Sequence, residues 1–74
     1  MSGIQMNAAE YLTKTQAVLE IMQRTGVGRF AIERKMNELE GAGQIRFLDD
    51  PRDIRKKLIS RDHVEAIVKA LNPF

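Results

Sequence analysis

The stretch LTKTQAVLEIMQRTGVGRFAIERKM, residues 12–36, carries two helical patterns separated by a very short turn. Thr13 is a good N-cap, and Gln16 completes a capping-box pattern with it. The apolar residues that follow form one face of a helix: Ala17, Val18, Ile21 and Met22. Gly26 suits the left-handed position at which many helices end. These features predict a first helix over residues 14–24.

The second pattern places Ile32, Met36 and Leu39 on one side of a helix, because their spacing follows the helical period. We predict that this helix spans residues 29–40, since glycines follow it. Only the residues TGVG, 25–28, separate it from the first helix. A turn that short holds two helices at a steep angle, and this is the helix-turn-helix arrangement.

Two short β-prone runs follow, QIRFL at 44–48 and IRKKLI at 54–59. They flank a turn at 49–53, where Pro51 has a favourable φ and needs no N–H partner. We therefore predict a two-stranded hairpin over residues 44–59. Because an isolated hairpin is unstable in water, its apolar side is expected to lie on the helices.

The sequence leaves the register of this hairpin open. Pairing Ile45 with Ile59 joins two apolar side chains, whereas a tighter turn sets Arg46 against Lys56. Such like-charge opposition destabilises an isolated hairpin. A phosphate lying between the two cations would relieve it.

A third helix is predicted over residues 61–71, with Ser60 or Asp62 as its N-cap. Its apolar stripe is regular: Val64, Ile67, Val68 and Leu71. At the other end of the chain, the run QMNAAEYL at 5–12 favours a short helix. The alternative is that residues 1–10 are flexible.

Together these elements predict one domain over residues 1–74, mainly α-helical with a small β-hairpin. The order is a helix-turn-helix over 14–40, the hairpin over 44–59 and a C-terminal helix over 61–71. This is the winged helix-turn-helix architecture, in which the hairpin is the wing.

The composition argues against an enzyme. A chain of 74 residues builds only a thin core, and the absence of cysteine excludes disulfides and thiolate metal sites. With His63 as the one histidine, a histidine-based metal site or catalytic triad is also not expected. We expect no catalytic residues, no cofactor and no metal, and we expect His63 to be exposed or near a phosphate.

No apolar run in the sequence approaches the roughly 18 residues that a membrane-spanning helix needs. The chain also does not open with a signal-peptide pattern. These observations predict a cytoplasmic protein without a membrane partner.

The formal net charge is only +2, but its distribution is uneven. Residues 24–61 hold ten of the twelve basic residues and six of the ten acidic ones, a net charge of +4. The rest of the chain has a net charge of −2. A concentrated basic surface is what a polyanion would contact, although a solvated charged face is the alternative.

On the second helix, the face opposite the core and its flanks carry the candidate DNA contacts: Arg29, Phe30, Arg34, Lys35 and Asn37. Arginine and asparagine are residue types that contact guanine and adenine edges in the major groove. The alternative is an ordinary solvated face on which Arg34 pairs with Glu38. Phe30 would then be tucked under the hairpin.

The hairpin carries the second group of candidate DNA contacts, all of them cations: Arg46, Arg52, Arg55, Lys56 and Lys57. A hairpin that projects past the edge of the domain brings such side chains to the sugar–phosphate backbone. The acidic residues Asp49, Asp50 and Asp53 can shape the turn by accepting backbone hydrogen bonds. Alternatively, Asp50 and Asp53 only pair with neighbouring arginines, and we expect both roles at once.

The motifs LTKTQA…TGVGRFAIERKM and DPRDIRKKLISRDHVEAI resemble the excisionase-type, MerR-like winged helix-turn-helix domains over residues 11–71. The segment LEGAGQIRFLDDPRDIRKKLIS is also similar to the wing of MarR-type regulators. Both resemblances imply binding to double-stranded DNA, with the second helix in the major groove and the wing on the backbone or minor groove. The implied DNA contacts are Arg29, Arg34, Arg52 and Arg55.

The chain departs from these families in two positions and in its extent. Gly28 stands where a Ser or Thr helix cap is usual, and Arg61 stands where MarR-type wings have a Leu. The long dimerisation helices of MarR-type proteins and the effector domains of MerR-type regulators do not appear in this sequence.

The expected function is sequence-specific binding of double-stranded DNA, as a transcription regulator or an excisionase-like architectural factor. Self-association on DNA as a homodimer is compatible with the small surface of one such domain. The alternative is a winged-helix module for protein–protein interaction within a larger assembly.

Overall fold

The computed structural model describes residues 10–72, which form three helices and a three-stranded antiparallel sheet and are mostly helical. Along the chain the elements are β1 (Tyr11–Thr13), α1 (Lys14–Thr25), α2 (Arg29–Gly41), β2 (Phe47–Asp50), β3 (Asp53–Ser60) and α3 (Arg61–Leu71). The helices lie where the sequence predicts them, to within one residue at each end. The predictions for residues 1–9 lie outside the described residues.

The helix ends are set by the residues that the sequence indicates. Thr13 Oγ1 accepts the N–H of Gln16 at 3.1 Å, and Gln16 Oε1 accepts the N–H of Thr13 at 3.0 Å, so the predicted capping box is confirmed. Gly26 follows α1 with a φ of 73°, a conformation that glycine adopts without steric cost. Ser60, and not Asp62, is the N-cap of α3.

Strand β1 was not predicted. It pairs with the free edge of β3, so the sheet has three strands in the order β1–β3–β2 instead of two. The sequence pattern assigned Tyr11 and Leu12 to the end of a short helix over 5–12, and for these two residues that prediction is wrong. Three residues carry no periodic signal of their own, and this strand depends on pairing with a segment that is distant in sequence.

The register of the hairpin differs from both predicted alternatives. Phe47 lies opposite Ile59, and Asp49 lies opposite Lys57. This register joins the apolar Phe47 and Ile59 and sets the opposite charges of Asp49 and Lys57 against each other, so the predicted conflict between Arg46 and Lys56 does not arise. The turn is also tighter than predicted, because only residues 51–52 separate the two strands.

Strand β3 contains a bulge at the tip of the hairpin. Asp50 lies opposite Asp53, whereas the neighbouring Asp49 lies opposite Lys57, so residues 54–56 have no counterpart in β2. A bulge releases residues from the regular ladder and turns them away from the partner strand. It therefore frees part of the basic run of β3 from strand pairing.

The core lies between the sheet and the three helices. Its buried apolar side chains come from all three helices, from β3 and from the segment before β2: Ala17, Val18, Ile21, Ile32, Met36, Ile45, Ile59, Val64 and Ile67. The predicted stripes of the three helices thus contribute to the core, with Met22, Leu39 and Val68 half-buried at its rim. Within residues 10–72, none of the helices has the length and the apolar character needed to cross a membrane.

Candidate nucleic-acid interface

The N-terminus of α1 lies beside the basic part of the hairpin. Lys14 and its neighbours Thr13 and Thr15 line one side of an open cleft. Three consecutive cations of β3 line the other side: Arg55, Lys56 and Lys57. Four cations from two elements therefore surround one depression in the surface.

A second cleft adjoins the first and connects it to α2. Lys14 and Thr15 also line this cleft, together with Arg29 and Glu33 from the N-terminal half of α2. Arg29 Nε lies 3.1 Å from Glu33 Oε2 on the next turn of the helix. Because the first turn of α1 belongs to both clefts, it joins α2 to the hairpin. We call the cations along this surface the basic strip: Lys14, Arg29, Arg55, Lys56 and Lys57.

The carboxylates of the hairpin each lie against one cation: Asp49 against Lys57 at 2.5 Å, Asp50 against Arg52 at 3.7 Å, and Asp53 against Arg55 at 3.1 Å. All three cations are more than half exposed. The pair of Asp49 with Lys57 is exposed on both sides and contributes little to stability, whereas the Asp50 side chain is only 9% exposed and the Asp53 side chain 27%. A phosphate oxygen can therefore replace the Asp49 carboxylate without disturbing the fold.

The carboxylates at the tip of the hairpin also accept hydrogen bonds from backbone N–H groups of the turn. Asp50 Oδ1 accepts the N–H of Arg52 at 2.9 Å, and Asp53 Oδ1 accepts the N–H of Arg55 at 3.1 Å. The hydrogen bonds from the side chain and the backbone of Arg55 lower the pKa of Asp53 below its ordinary value. Both predicted roles of these residues, shaping the turn and pairing with arginines, are present.

Lys14 was not among the predicted contacts. Its Nζ lies 5.2 Å from the centre of the Phe47 ring, a cation–π distance that places the ammonium beside the sheet. Within residues 10–72, neither Lys14 nor Lys56 takes part in an ion pair. The sequence shows that Lys14 follows a helix cap, but its place beside the hairpin depends on the unpredicted pairing of β1 with β3.

The outer face of α2 is open to solvent. Phe30 is 83% exposed, so the alternative in which it is tucked under the hairpin is wrong. Arg34 and Asn37 are also exposed. The alternative pairing of Arg34 with Glu38 is absent, because Glu38 instead accepts a hydrogen bond from Lys35 at 3.0 Å. This pairing occupies Lys35 and leaves the Arg34 guanidinium free of ion pairs within the described part of the chain.

Arg46 lies apart from the other predicted contacts of the hairpin. It lines a separate cleft with Tyr11, Leu48 and His63. Side chains alternate across a strand, and Phe47 next to it packs on the core side of the sheet. The structure therefore places Arg46 on the sheet face that points away from the core. Lys57 lies on the other face, because it precedes the buried Ile59 by two residues along β3.

His63 forms a hydrogen bond between two elements of the fold. Its Nδ1 accepts the backbone N–H of Arg46 at 3.2 Å, and its side chain is half-buried. This bond ties the start of α3 to the segment before β2. The expectation of an exposed histidine is wrong, since His63 is half-buried and joins two elements, and its proximity to a phosphate stays a prediction.

Two arginines from the basic central segment lie in a different cluster, which we call the ion network: Glu10, Glu20, Arg24, Arg61 and Glu65. Arg24 forms a bidentate pair with Glu65 at 2.5 and 2.8 Å, and Arg61 pairs with both Glu20 and Glu10. The hydrogen bonds raise the pKa of both guanidinium groups and lower the pKa of Glu65. These two cations are therefore neutralised between α1 and α3.

Within residues 10–72, no group of three or more His, Cys, Asp or Glu side chains is arranged to hold a metal ion. No protein-family model, curated protein or solved structure matches this chain.

Proposed function

We propose that the chain is a winged helix-turn-helix domain that binds double-stranded DNA. The connectivity supports this fold. The helices α1 and α2 are joined by a three-residue turn, and they are inserted between β1 and a hairpin whose strand β3 pairs with β1. In such a domain, α2 is the recognition helix and the hairpin β2–β3 is the wing.

The observation that carries the proposal is the continuity of the basic strip. The first turn of α1 adjoins both the start of α2 and the cations of β3. A duplex presents two rows of phosphates beside each groove, so a DNA-binding surface needs cations on both sides of its recognition element. Lys14 and Arg29 provide one group, and the cations of β3 provide the other.

The proposed roles follow from exposure and position. The outer face of α2 enters the major groove, where Arg34 and Asn37 contact base edges and Phe30 contacts apolar groups of the bases. The basic strip holds phosphates and positions the domain. Arg46 lies on the opposite face of the sheet and is not part of this surface.

A salt titration tests the proposal. The strip has five cations, and about five neutralised phosphates predict that log K falls with log[salt] at a slope of about −4.5. Fluorescence anisotropy of a labelled duplex between 50 and 300 mM salt measures this slope. A selection from random oligonucleotides, run in parallel, reveals sequence preference and any half-site symmetry that a homodimer would impose. An affinity that does not change with salt would contradict DNA binding.

A second function, docking of an acidic protein partner, is favoured by one observation. Phe30 presents a large apolar side chain to solvent beside cations, and exposed aromatic residues are enriched at protein interfaces. In that case the double substitution Arg55→Ala/Lys57→Ala leaves DNA association unchanged and abolishes capture of the partner. Under the DNA-binding proposal, the same double variant binds DNA more weakly.

A further inference from the structure

The tip of the hairpin presents an apolar side chain to solvent. Ile54 is 77% exposed, although most large aliphatic side chains of the described residues pack into or against the core. It is the first residue of the bulge in β3, so no residue of β2 lies opposite it. Nothing in the fold accounts for an apolar residue at this position, since its side chain adds nothing to the core.

The backbone on both sides of Ile54 is held in place. The Asp50 carboxylate binds the N–H of Arg52, and the Asp53 carboxylate binds the N–H of Arg55. Pro51 restricts the turn further, because its ring fixes φ. The tip is thus stiffened by local bonds, and little conformational entropy remains to be lost when it contacts a partner.

Two highly exposed arginines lie near Ile54 in the sequence, Arg52 two residues before it and Arg55 directly after it. The side chains of Arg52 and Arg55 are 90% and 87% exposed, and Lys56 follows directly. An apolar side chain between such cations suits a polyanion whose interior is apolar. A DNA duplex has this combination, with phosphates outside and stacked bases inside.

We propose that Ile54 is a wedge that inserts between base pairs from the minor groove and kinks the duplex. This inference rests on the proposed DNA binding and adds bending to it. Apolar side chains inserted in this way partly unstack a base step and bend DNA, while arginines bind the negative potential of the minor groove. Pyrimidine–purine steps such as TA unstack most easily, so the preferred substrate is a duplex with a TA step under the tip.

The test uses a duplex of about 30 base pairs with several TA steps, a fluorophore at each end and 2-aminopurine in the TA steps. The whole chain is added to saturation at low salt, and end-to-end energy transfer reports the bend. Unstacking at the step raises the 2-aminopurine fluorescence. For the unmodified protein we expect a kink within the range of about 20–90° and an increase in that fluorescence.

Ile54→Ala is expected to bind the duplex and to lose both signals, whereas Ile54→Leu keeps them. Leu48→Ala is the matched control, because it removes another exposed apolar side chain of the hairpin, from the sheet face that carries Arg46 and lies outside the proposed interface. At saturation this control retains the full bend. An unchanged bend in Ile54→Ala, or a duplex that the unmodified protein binds without bending, overturns the wedge and leaves DNA binding intact. A duplex that stays unbound at low salt overturns the proposed function together with the wedge.

Discussion

The ion network and the basic strip are built from the same residue types but differ in their balance of charge. In the ion network, three carboxylates surround two arginines, and the contacts join α1 to α3 across a long separation in sequence. In the basic strip, five cations face only three paired carboxylates, and these pairs lie within α2 or within the hairpin. The first cluster holds helices together, and the second keeps an excess of positive charge on the surface.

This difference shows why a charge count along the sequence misleads. Arg24 and Arg61 belong to the basic central segment, yet their partner carboxylates come from the acidic ends of the chain. Lys14 lies outside that segment, yet it joins the basic strip. What a polyanion would contact is the charge that remains after pairing between elements.

The largest expected effect comes from removing two neighbouring cations of the strip: Lys56, which has no ion pair within residues 10–72, and Arg55, which pairs only within the hairpin, with Asp53. In the double variant Arg55→Ala/Lys56→Ala, two phosphate contacts are lost. Each contributes about 0.9 to the salt slope, which corresponds to a loss in affinity of about 100-fold near 0.1 M salt for the pair. Anisotropy titration measures the loss.

The matched control for that double variant is Lys69→Ala. Lys69 is an exposed cation on α3 and does not line either cleft of the strip. This variant should keep its affinity for DNA to within about threefold, since one remote exposed charge acts only through screened interactions. An equal loss in both variants would show that net charge, and not the strip, governs binding.

A second comparison sets a substitution of an arginine in the ion network, Arg24, beside a substitution of an arginine on the outer face of α2, Arg34. Arg24→Ala removes both contacts to Glu65 and leaves the carboxylates of the ion network facing one arginine. The melting temperature should fall because of the added repulsion, and the affinity for DNA should not change.

Arg34→Ala is the counterpart on α2, where no ion pair within residues 10–72 is lost. Here the melting temperature should stay constant and the affinity for DNA should fall about tenfold, as for a lost contact to a base. Thermal unfolding and anisotropy on the same samples measure both effects. If the two variants behave alike, the ion network and the outer face of α2 do not have separate roles.

The helices and their caps could be predicted from sequence because their signals are local. The stripe of α3 and the capping box of Thr13 and Gln16 both lie within a few residues, and both are present in the structure. The pairing of β1 with β3, the register of the hairpin and the ion network join distant segments. No local pattern encodes such contacts, so the sequence did not predict that Lys14 lies beside the hairpin or that Arg46 lines a separate cleft.

The smallest expected effect is a change in how the stability of the fold depends on pH. The Arg24 guanidinium lowers the pKa of Glu65 from its ordinary value of 4.5. Because the folded pKa lies below the unfolded one, this pair stabilises the fold fully at neutral pH, and the contribution is lost as the pH falls below about 5 and through the folded pKa. Urea midpoints measured from pH 7 down to pH 3 should therefore fall less steeply in Arg24→Ala than in the unmodified protein. Parallel curves for the two proteins would mean that the pair does not contribute to stability, and the contrast with the local ion pairs of the hairpin would disappear.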